Sequence, residues 1–164
     1  MKPRGEKIDA PKKGQQWVIA DIHGCHQTFR KLISRLSLNP SDQLFLLGDY
    51  INRGSNSEGV LQTIIRMQRD GYQIFPIRGN HEELALSRIQ VARLTGKPAK
   101  YYEFGSFFES LPYFYETDHA YLVHGGFDFK KENPFDDFDS MLWLREMRVD
   151  PAKTQNRPVI HGHT

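Results

Sequence analysis

The chain has 164 residues, 22 basic against 20 acidic, and a formal net charge of +2, which suits one domain with a substantial core and excludes the strongly basic surface of a dedicated nucleic-acid binder. Its mean hydropathy of −0.60 and the lack of any long apolar run argue against a membrane span, and residues 1–15 lack the apolar centre of a signal peptide. Cys25 is the single cysteine, so no intrachain disulfide forms, and a reducing cytoplasm is the expected setting.

Residues 1–15 carry Lys2, Arg4, Lys7, Lys12 and Lys13 with Glu6 and Asp9 interleaved, which predicts a basic, poorly ordered tail ahead of a single domain over 16–164. Gln16 to Asp21 reads as a first strand, left through the turn Ile22-His23-Gly24. Phe29, Leu32, Ile33 and Leu36 then recur at helical spacing until Asn39-Pro40 ends the helix. Gln43 to Leu47 is a second strand and leads into Gly48-Asp49-Tyr50-Ile51-Asn52-Arg53-Gly54. Ser55 and Glu58 have the spacing of a capping box, so a second helix begins there, burying Val60, Leu61, Ile64, Ile65 and Met67 and ending at Gly71. Gln73 to Arg78 is a third strand, which Pro76 assigns to an edge or bulge, and its exit is Gly79-Asn80-His81-Glu82.

Successive strand, turn and helix units imply parallel strands joined by right-handed crossovers, hence an α/β fold. A third helix is expected from Glu82 to Leu94, ended by Gly96 and Pro98, with a short helix allowed over the aromatic stretch Tyr101 to Ser110. Tyr113 to Glu116 and Ala120 to His124 alternate around Thr117-Asp118-His119, the pattern of an antiparallel hairpin. Phe127 to Ser140 reads as an acidic loop, Met141 to Glu146 is amphipathic, and Arg157 to Ile160 is a last apolar run before His161-Gly162-His163-Thr164.

Polar residues gather at the strand exits, in the order Asp21-Ile22-His23-Gly24, Gly48-Asp49, Gly79-Asn80-His81-Glu82, His124-Gly125-Gly126 and Gly162-His163. In open α/β sheets ligands bind beyond the carboxyl ends of the strands. Carboxylate, imidazole and amide oxygen together suit manganese, iron or zinc, while the lack of a cysteine cluster argues against structural zinc. Within the second exit, Asp49 offers a metal ligand, Asn52 a neutral hydrogen-bonding group and Arg53 a fork for an anion.

In this order the motifs resemble those of the calcineurin-like metallophosphoesterases, and within them the bacterial and phage branch of the phosphoprotein phosphatase family. That family shows Gly-Asp-x-His-Gly, Gly-Asp-x-Val-Asp-Arg-Gly, Gly-Asn-His-Glu, His-Gly-Gly and Gly-His-Thr, and the match runs over residues 16–164. The resemblance implies a four-layer αββα sandwich with two mixed sheets, α+β in broad classification, which in this chain stops after Gly-His-Thr without the family's last strands. It also implies two divalent metal ions, manganese first and iron or zinc otherwise. Asp21 and His23 would hold one, Asn80, His124 and His163 the other, with Asp49 bridging them. A metal-bridging hydroxide would attack phosphorus, His81 would protonate the leaving alkoxide, and Arg53 and Arg78 would hold the phosphate. Arg145 is a third phosphate-binding candidate, through the Trp143-x-Arg145-Glu146 pattern of phage-like members.

Two departures stand out against this resemblance. The family has an aspartate at the position of Asn52, paired with the general-acid histidine; an amide can accept from the imidazole and orient it but cannot stabilise imidazolium by charge. The chain also ends one residue after His163, so fraying of that residue and weaker binding at the second metal are expected. The function implied is phosphate monoester hydrolysis, foremost on phosphoserine or phosphothreonine in proteins. The alternatives are hydrolysis of a dinucleoside polyphosphate such as diadenosine tetraphosphate, and, because of Asn52, phosphate or phosphoprotein binding with weakened turnover. Partners are then a phosphorylated protein or a small phosphate ester, with neither nucleic acid nor membrane expected. His26 and His119 read as a helix-surface and a turn residue, Cys25 as packing, and Glu82 as structural at a helix start.

Overall fold

Strand alternation and helical periodicity place the elements largely as the sequence predicts. The computed structural model describes residues 5–163. In it β2 (Gln16–Ile19), β3 (Gln43–Leu46) and β4 (Gln73–Pro76) form a parallel sheet in that order, with Pro76 on an outer strand. α1 (His26–Leu36), α2 (Ser57–Arg69) and α3 (Asn80–Thr95) follow these strands in turn. After α4 (Gly105–Ser110), β5 (Phe114–Thr117) and β6 (Tyr121–Val123) make the expected antiparallel hairpin. The segment expected as loop runs into α5 (Phe138–Trp143), followed by α6 (Pro151–Thr154). β7 (Val159–His161) then pairs parallel to β6.

Two expectations need correction. The second sheet, ordered β1-β5-β6-β7, is mixed, but the first is wholly parallel, because a helix returns the chain between each of its strands. The poorly ordered tail holds, at Gly5–Ile8, the strand β1, which pairs parallel with β5 so that Gly5 lies opposite Phe114 and Ile8 opposite Thr117. Ile8 packs against the layer between the sheets, and this one anchor, with the ladder that β5 offers, orders the strand. Residues 1–4 of the expected tail and Thr164 of the last motif lie outside the described residues.

Alternation along the strands sorts the core into layers. Leu44 and Leu46 of β3 and Ile74 of β4 face the helices, meeting Phe29 of α1, Leu61 and Ile64 of α2 and Ile89 of α3. Their neighbours Phe45, Leu47, Phe75 and Ile77 face the second sheet and meet Tyr115, Ala120 and Leu122. Phe114, Tyr121 and Val123 face the far side, beneath Phe127 and Met141. The order is helices, sheet, sheet, then a layer of loop and short helix, the four-layer sandwich. Among the described residues, no helix is long and apolar enough to cross a membrane.

Local details differ at helix ends. α2 is capped by Asn56, not Ser55, its side chain accepting the Gly59 N–H at 2.8 Å, while the Ser57 hydroxyl accepts the Asn52 N–H at 3.0 Å. Ile65, expected in the core, is 37% exposed on the flank of α2 toward α1.

The exits of β3 and β4 are bolted together by Tyr50, which is wholly buried. Its hydroxyl lies 2.9 Å from the Leu46 carbonyl and 2.6 Å from that of Ile77, and accepts the Gly48 N–H at 3.3 Å. Tyr50→Phe is expected to destabilise the protein by about 1–3 kcal/mol, the penalty for stranding buried backbone groups. A lower denaturation midpoint at constant m-value would show it; an unchanged midpoint would remove the bolt.

Candidate metal centre

Parallel pairing brings the motif exits to one rim. β2, β3 and β4 leave their sheet at the same end, and β6 and β7 do likewise in theirs. Backbone bonds stitch the loops that follow. The His23 N–H donates to the Asp49 carbonyl at 2.7 Å and the Gly162 N–H to that of His124 at 2.9 Å. Asp21, His23, Asp49, Asn52, Arg53 and His163 all take positive φ, between 46° and 68°. Asp, Asn and His tolerate this region better than most residues, and such backbone strain collects at functional sites. Close approach explains the adjoining glycines: a Cβ on Gly79 would lie 2.4 Å from both the backbone N and Oδ1 of Asp49.

The side chains at this rim present lone pairs to one another. His124, wholly buried, has Nδ1 2.8 Å from the Leu47 carbonyl, so Nδ1 donates and Nε2 is left with a lone pair. That Nε2 lies 3.0 Å from Asn80 Oδ1, 3.1 Å from His163 Nδ1 and 3.5 Å from Asp49 Oδ1. In the same way His23 Nδ1 faces the Ile51 carbonyl at 3.1 Å and turns Nε2 toward Asp49 Oδ2 at 3.5 Å. The Asn80 oxygen faces acceptors only; turned over, the amide nitrogen would reach His124 Nε2 and both Asp49 oxygens at 3.0–3.2 Å. A cation satisfies the first orientation, protons alone the second.

Asp21 adds a buried Oδ1 with no hydrogen-bond partner, while its Oδ2 accepts the His163 N–H at 3.0 Å. An orphaned buried carboxylate oxygen beside convergent lone pairs fits bound divalent cations. Among the described residues two triads of groups able to ligate, each within 4.8 Å, are His23, Asp49 and His81, and Asp49, His124 and His163; Asp49 is common to both, His81, expected as the acid, stands in the first, and Asp21, expected as a ligand, stands in neither. Burial, then the neighbouring His124 and Arg145, holds the His163 imidazole below its usual range and favours the neutral, ligating form. His163 is also tied at its backbone to Asp21 Oδ2 and set edge-on to Trp143, ring centroids 6.1 Å apart, two contacts that oppose the expected fraying.

Glu82 proves to be more than a helix-start charge. It is wholly buried. Its Oε2 accepts the N–H of Asp49 at 2.8 Å and of Gly79 at 3.1 Å, and Oε1 that of Tyr50 at 2.9 Å. Desolvation, then the Asp49 charge, pushes its carboxyl up to about 8, against the pull of those three N–H groups. Glu82 thus ties the Asp49 backbone to the first turn of α3.

Asn52 meets His81 as expected but in the opposite sense. Its Nδ2 lies 2.8 Å from His81 Nδ1, and its Oδ1 accepts the Tyr101 hydroxyl at 3.3 Å. An amide nitrogen only donates, so Nδ1 accepts and the ring proton resides on Nε2, which points toward Asp49 Oδ2 at 3.9 Å. Burial, then the charges of His23, Arg53 and His124, holds the His81 pKa below its usual value, Asp49 opposing.

The arginines separate. Arg53 is exposed and makes no ion pair among the described residues, although its charge is felt at His81. Arg145 is exposed, with its charge felt at His163. Internal bonds compete with the expected phosphate role of Arg78: its Nη1 meets Glu83 Oε2 at 2.8 Å and the Tyr113 hydroxyl at 3.0 Å, and Nη2 the carbonyls of Phe108 and Glu109, while its buried Nε has no partner. A guanidinium so committed clamps α4 to the exit of β4. His161, His119 and Cys25 lie outside both triads, whereas His26 is bonded to Asn56 and Thr63 and is not a bare surface residue. Sequence reasoning missed Tyr101 and Trp143 as neighbours of the centre; their aromatic surroundings gave no signal of it.

A model of the calcineurin-like phosphoesterases matches residues 16–164. A symmetrical bis(5′-nucleosyl)-tetraphosphatase from Acidovorax sp. (strain JS42) is 34% identical over 85 residues, 51% of this chain and 28% of that protein. Serine/threonine-protein phosphatase 1 of Salmonella typhimurium is 34% identical over 82 residues, 49% of this chain and 36% of that protein. The chain therefore spans well under two thirds of either relative. A solved protein serine/threonine phosphatase from Saccharomyces cerevisiae shares the fold, with TM-score 0.61 and 20% identity over 81% of this chain and 52% of that one.

Glu82→Gln replaces one acceptor oxygen by a donor facing an N–H. Manganese affinity is expected to fall by about tenfold to a hundredfold, the range for groups that orient metal ligands. Calorimetric titration measures it, and wild-type affinity in a folded variant would show that Asp49 needs no such tie.

Proposed function

The chain belongs to the calcineurin-like phosphoesterase family, and from that premise we propose that it hydrolyses phosphate monoesters at a two-metal centre held by Asp21, His23, Asp49, Asn80, His124 and His163. The convergence of lone pairs on Asp49, common to both triads, carries this reading. Bound divalent ions, manganese first and iron or zinc otherwise, supply Lewis-acid polarisation of the phosphoryl oxygens and a water of lowered pKa. The side chains around them orient the ester. Arg53 offers its unpaired fork to phosphoryl oxygens, and Arg145 a second positive charge from the His163 side.

His81 is the proton donor to the leaving oxygen in this proposal, and Asn52 limits it. A neutral imidazole gives up its last N–H reluctantly; the useful acid is imidazolium, which needs an acceptor at Nδ1. The amide nitrogen of Asn52 occupies that place as a donor. Slow turnover of esters with poor leaving groups follows, and in the limit a protein that binds phosphate without hydrolysing it.

For the substrate we favour phosphoserine or phosphothreonine in proteins, in line with the name of the Salmonella relative. A dinucleoside polyphosphate is the second reading, favoured by the Acidovorax relative and others of the same name. A reducing cytoplasm is the proposed setting, with Cys25 a free thiol.

With manganese added, turnover of a phosphoserine peptide is expected to exceed that of diadenosine tetraphosphate and to vanish on chelation; preference for the dinucleotide would establish the second reading instead. Asn52→Asp is expected to raise peptide turnover on the order of tenfold to a hundredfold while leaving an activated aryl phosphate nearly unchanged. Equal peptide rates for the two forms would dismiss the acid-step account.

A further inference from the structure

Beyond the metal centre, we infer that the groove between α1 and α2 is a separate anion site, built for an organic phosphate of about nucleotide size. Two open depressions of about 520 and 530 Å³ adjoin there, a volume in the range of small-ligand sites. Arg30 of α1 and Arg66 of α2, both exposed, line both together with Thr63, so each helix contributes a basic side chain to the junction. Neither arginine makes an ion pair among the described residues. Arg69 lines the first cavity as well, and none of its lining residues is acidic.

Like charges that line a shared space repel, and a phosphate between them would replace that repulsion with charge-assisted, two-point hydrogen bonds. One carboxylate stands nearby: Asp70, lining the second cavity, lies 3.9 Å from Arg69 Nε in an exposed pair that leaves Arg30 and Arg66 free. The wall between the arginines and the start of α2 is preset. Asn56 Nδ2 lies 3.2 Å from His26 Nδ1, His26 Nε2 lies 3.0 Å from Thr63 Oγ1, and the Thr63 hydroxyl donates to the Gly59 carbonyl at 2.7 Å. That chain of bonds keeps His26 and Thr63 still before any ligand arrives.

The two cavities differ in character, which narrows the ligand. Next to the cationic junction the second offers Ile33, Leu38, Met67 and the ring of Tyr72. An anion alone would leave this surface wet, whereas a phosphate carrying a planar apolar body covers it. No metal-ligating residue lines either cavity, so binding here is independent of the metal chemistry.

The test is amide-resolved NMR titration of the whole manganese-free and zinc-loaded protein with a nucleoside 5′-phosphonate, whose C–P bond resists hydrolysis, and with inorganic phosphate. Saturable shifts at Arg30, Thr63 and Arg66 are expected in both metal states, with the phosphonate bound about tenfold tighter than phosphate. The pair R30A/R66A should weaken that binding by about tenfold or more while manganese-dependent aryl phosphate hydrolysis stays within about twofold. Shifts confined to the metal loops, equal affinity for the two probes, or unchanged affinity in the double variant would each overturn the inference. Should the double variant not fold, R30K and R66K decide it: each keeps the charge but loses the fork, and wild-type affinity in both would count against the site.

Discussion

A buried carboxyl group that accepts three backbone N–H groups holds this rim together. Glu82 joins the first turn of α3 to the Gly48-Asp49-Tyr50 turn, and so fixes the exit of β4 against that of β3. Asp49 needs such a restraint, because His23, Asn80 and His124 all direct lone pairs at it. Without cations those groups repel, and the backbone, already in the left-handed region at Asp49, holds them through few bonds: the His81 N–H donates to Asp49 Oδ1 at 3.1 Å and the His23 N–H to the Asp49 carbonyl at 2.7 Å. Gly79 completes the restraint, since any side chain there would strike Asp49.

Much of this was legible in the chain because two periodicities and one positional rule agree. Helical and strand spacing locate the three strand and helix units and the hairpin, and each motif falls where a strand ends. The parts that were not legible depend on partners distant in sequence. β1 carries only Ile8 as an apolar anchor and is ordered by the edge of β5, more than a hundred residues away. Asn56 rather than Ser55 caps α2 because Ser57 and the Asn52 loop settle which residue faces the helix end. Arg78 reads as a phosphate fork in sequence, but Glu83 and Tyr113 claim it first, and no pattern along the strand announces that competition.

Asn52 shows how one amide can be read two ways. From sequence it stands for a missing charge beside His81. In the fold the amide lies between two partners, with Oδ1 3.3 Å from the Tyr101 hydroxyl and Nδ2 2.8 Å from the imidazole. In this orientation the residue acts on His81 by sign as well as by strength: it supplies a donor where the proton-transfer step calls for an acceptor.

The ligand positions are divided between the two sheets. Asp21, His23, Asp49 and Asn80 follow strands of the parallel sheet, whereas His124 and His163 follow strands of the mixed one. The His124 bond to the Leu47 carbonyl and the Asp21 bond to the His163 amide already cross that boundary. Elsewhere Phe45, Phe75 and Tyr115 pack ring against ring, and the Tyr115 hydroxyl donates to the Pro76 carbonyl at 3.4 Å. Ions bound at the rim would thus add rivets to a seam that few directional bonds cross, so that the mechanical registry of the two sheets and the reactive geometry at their edge become one property.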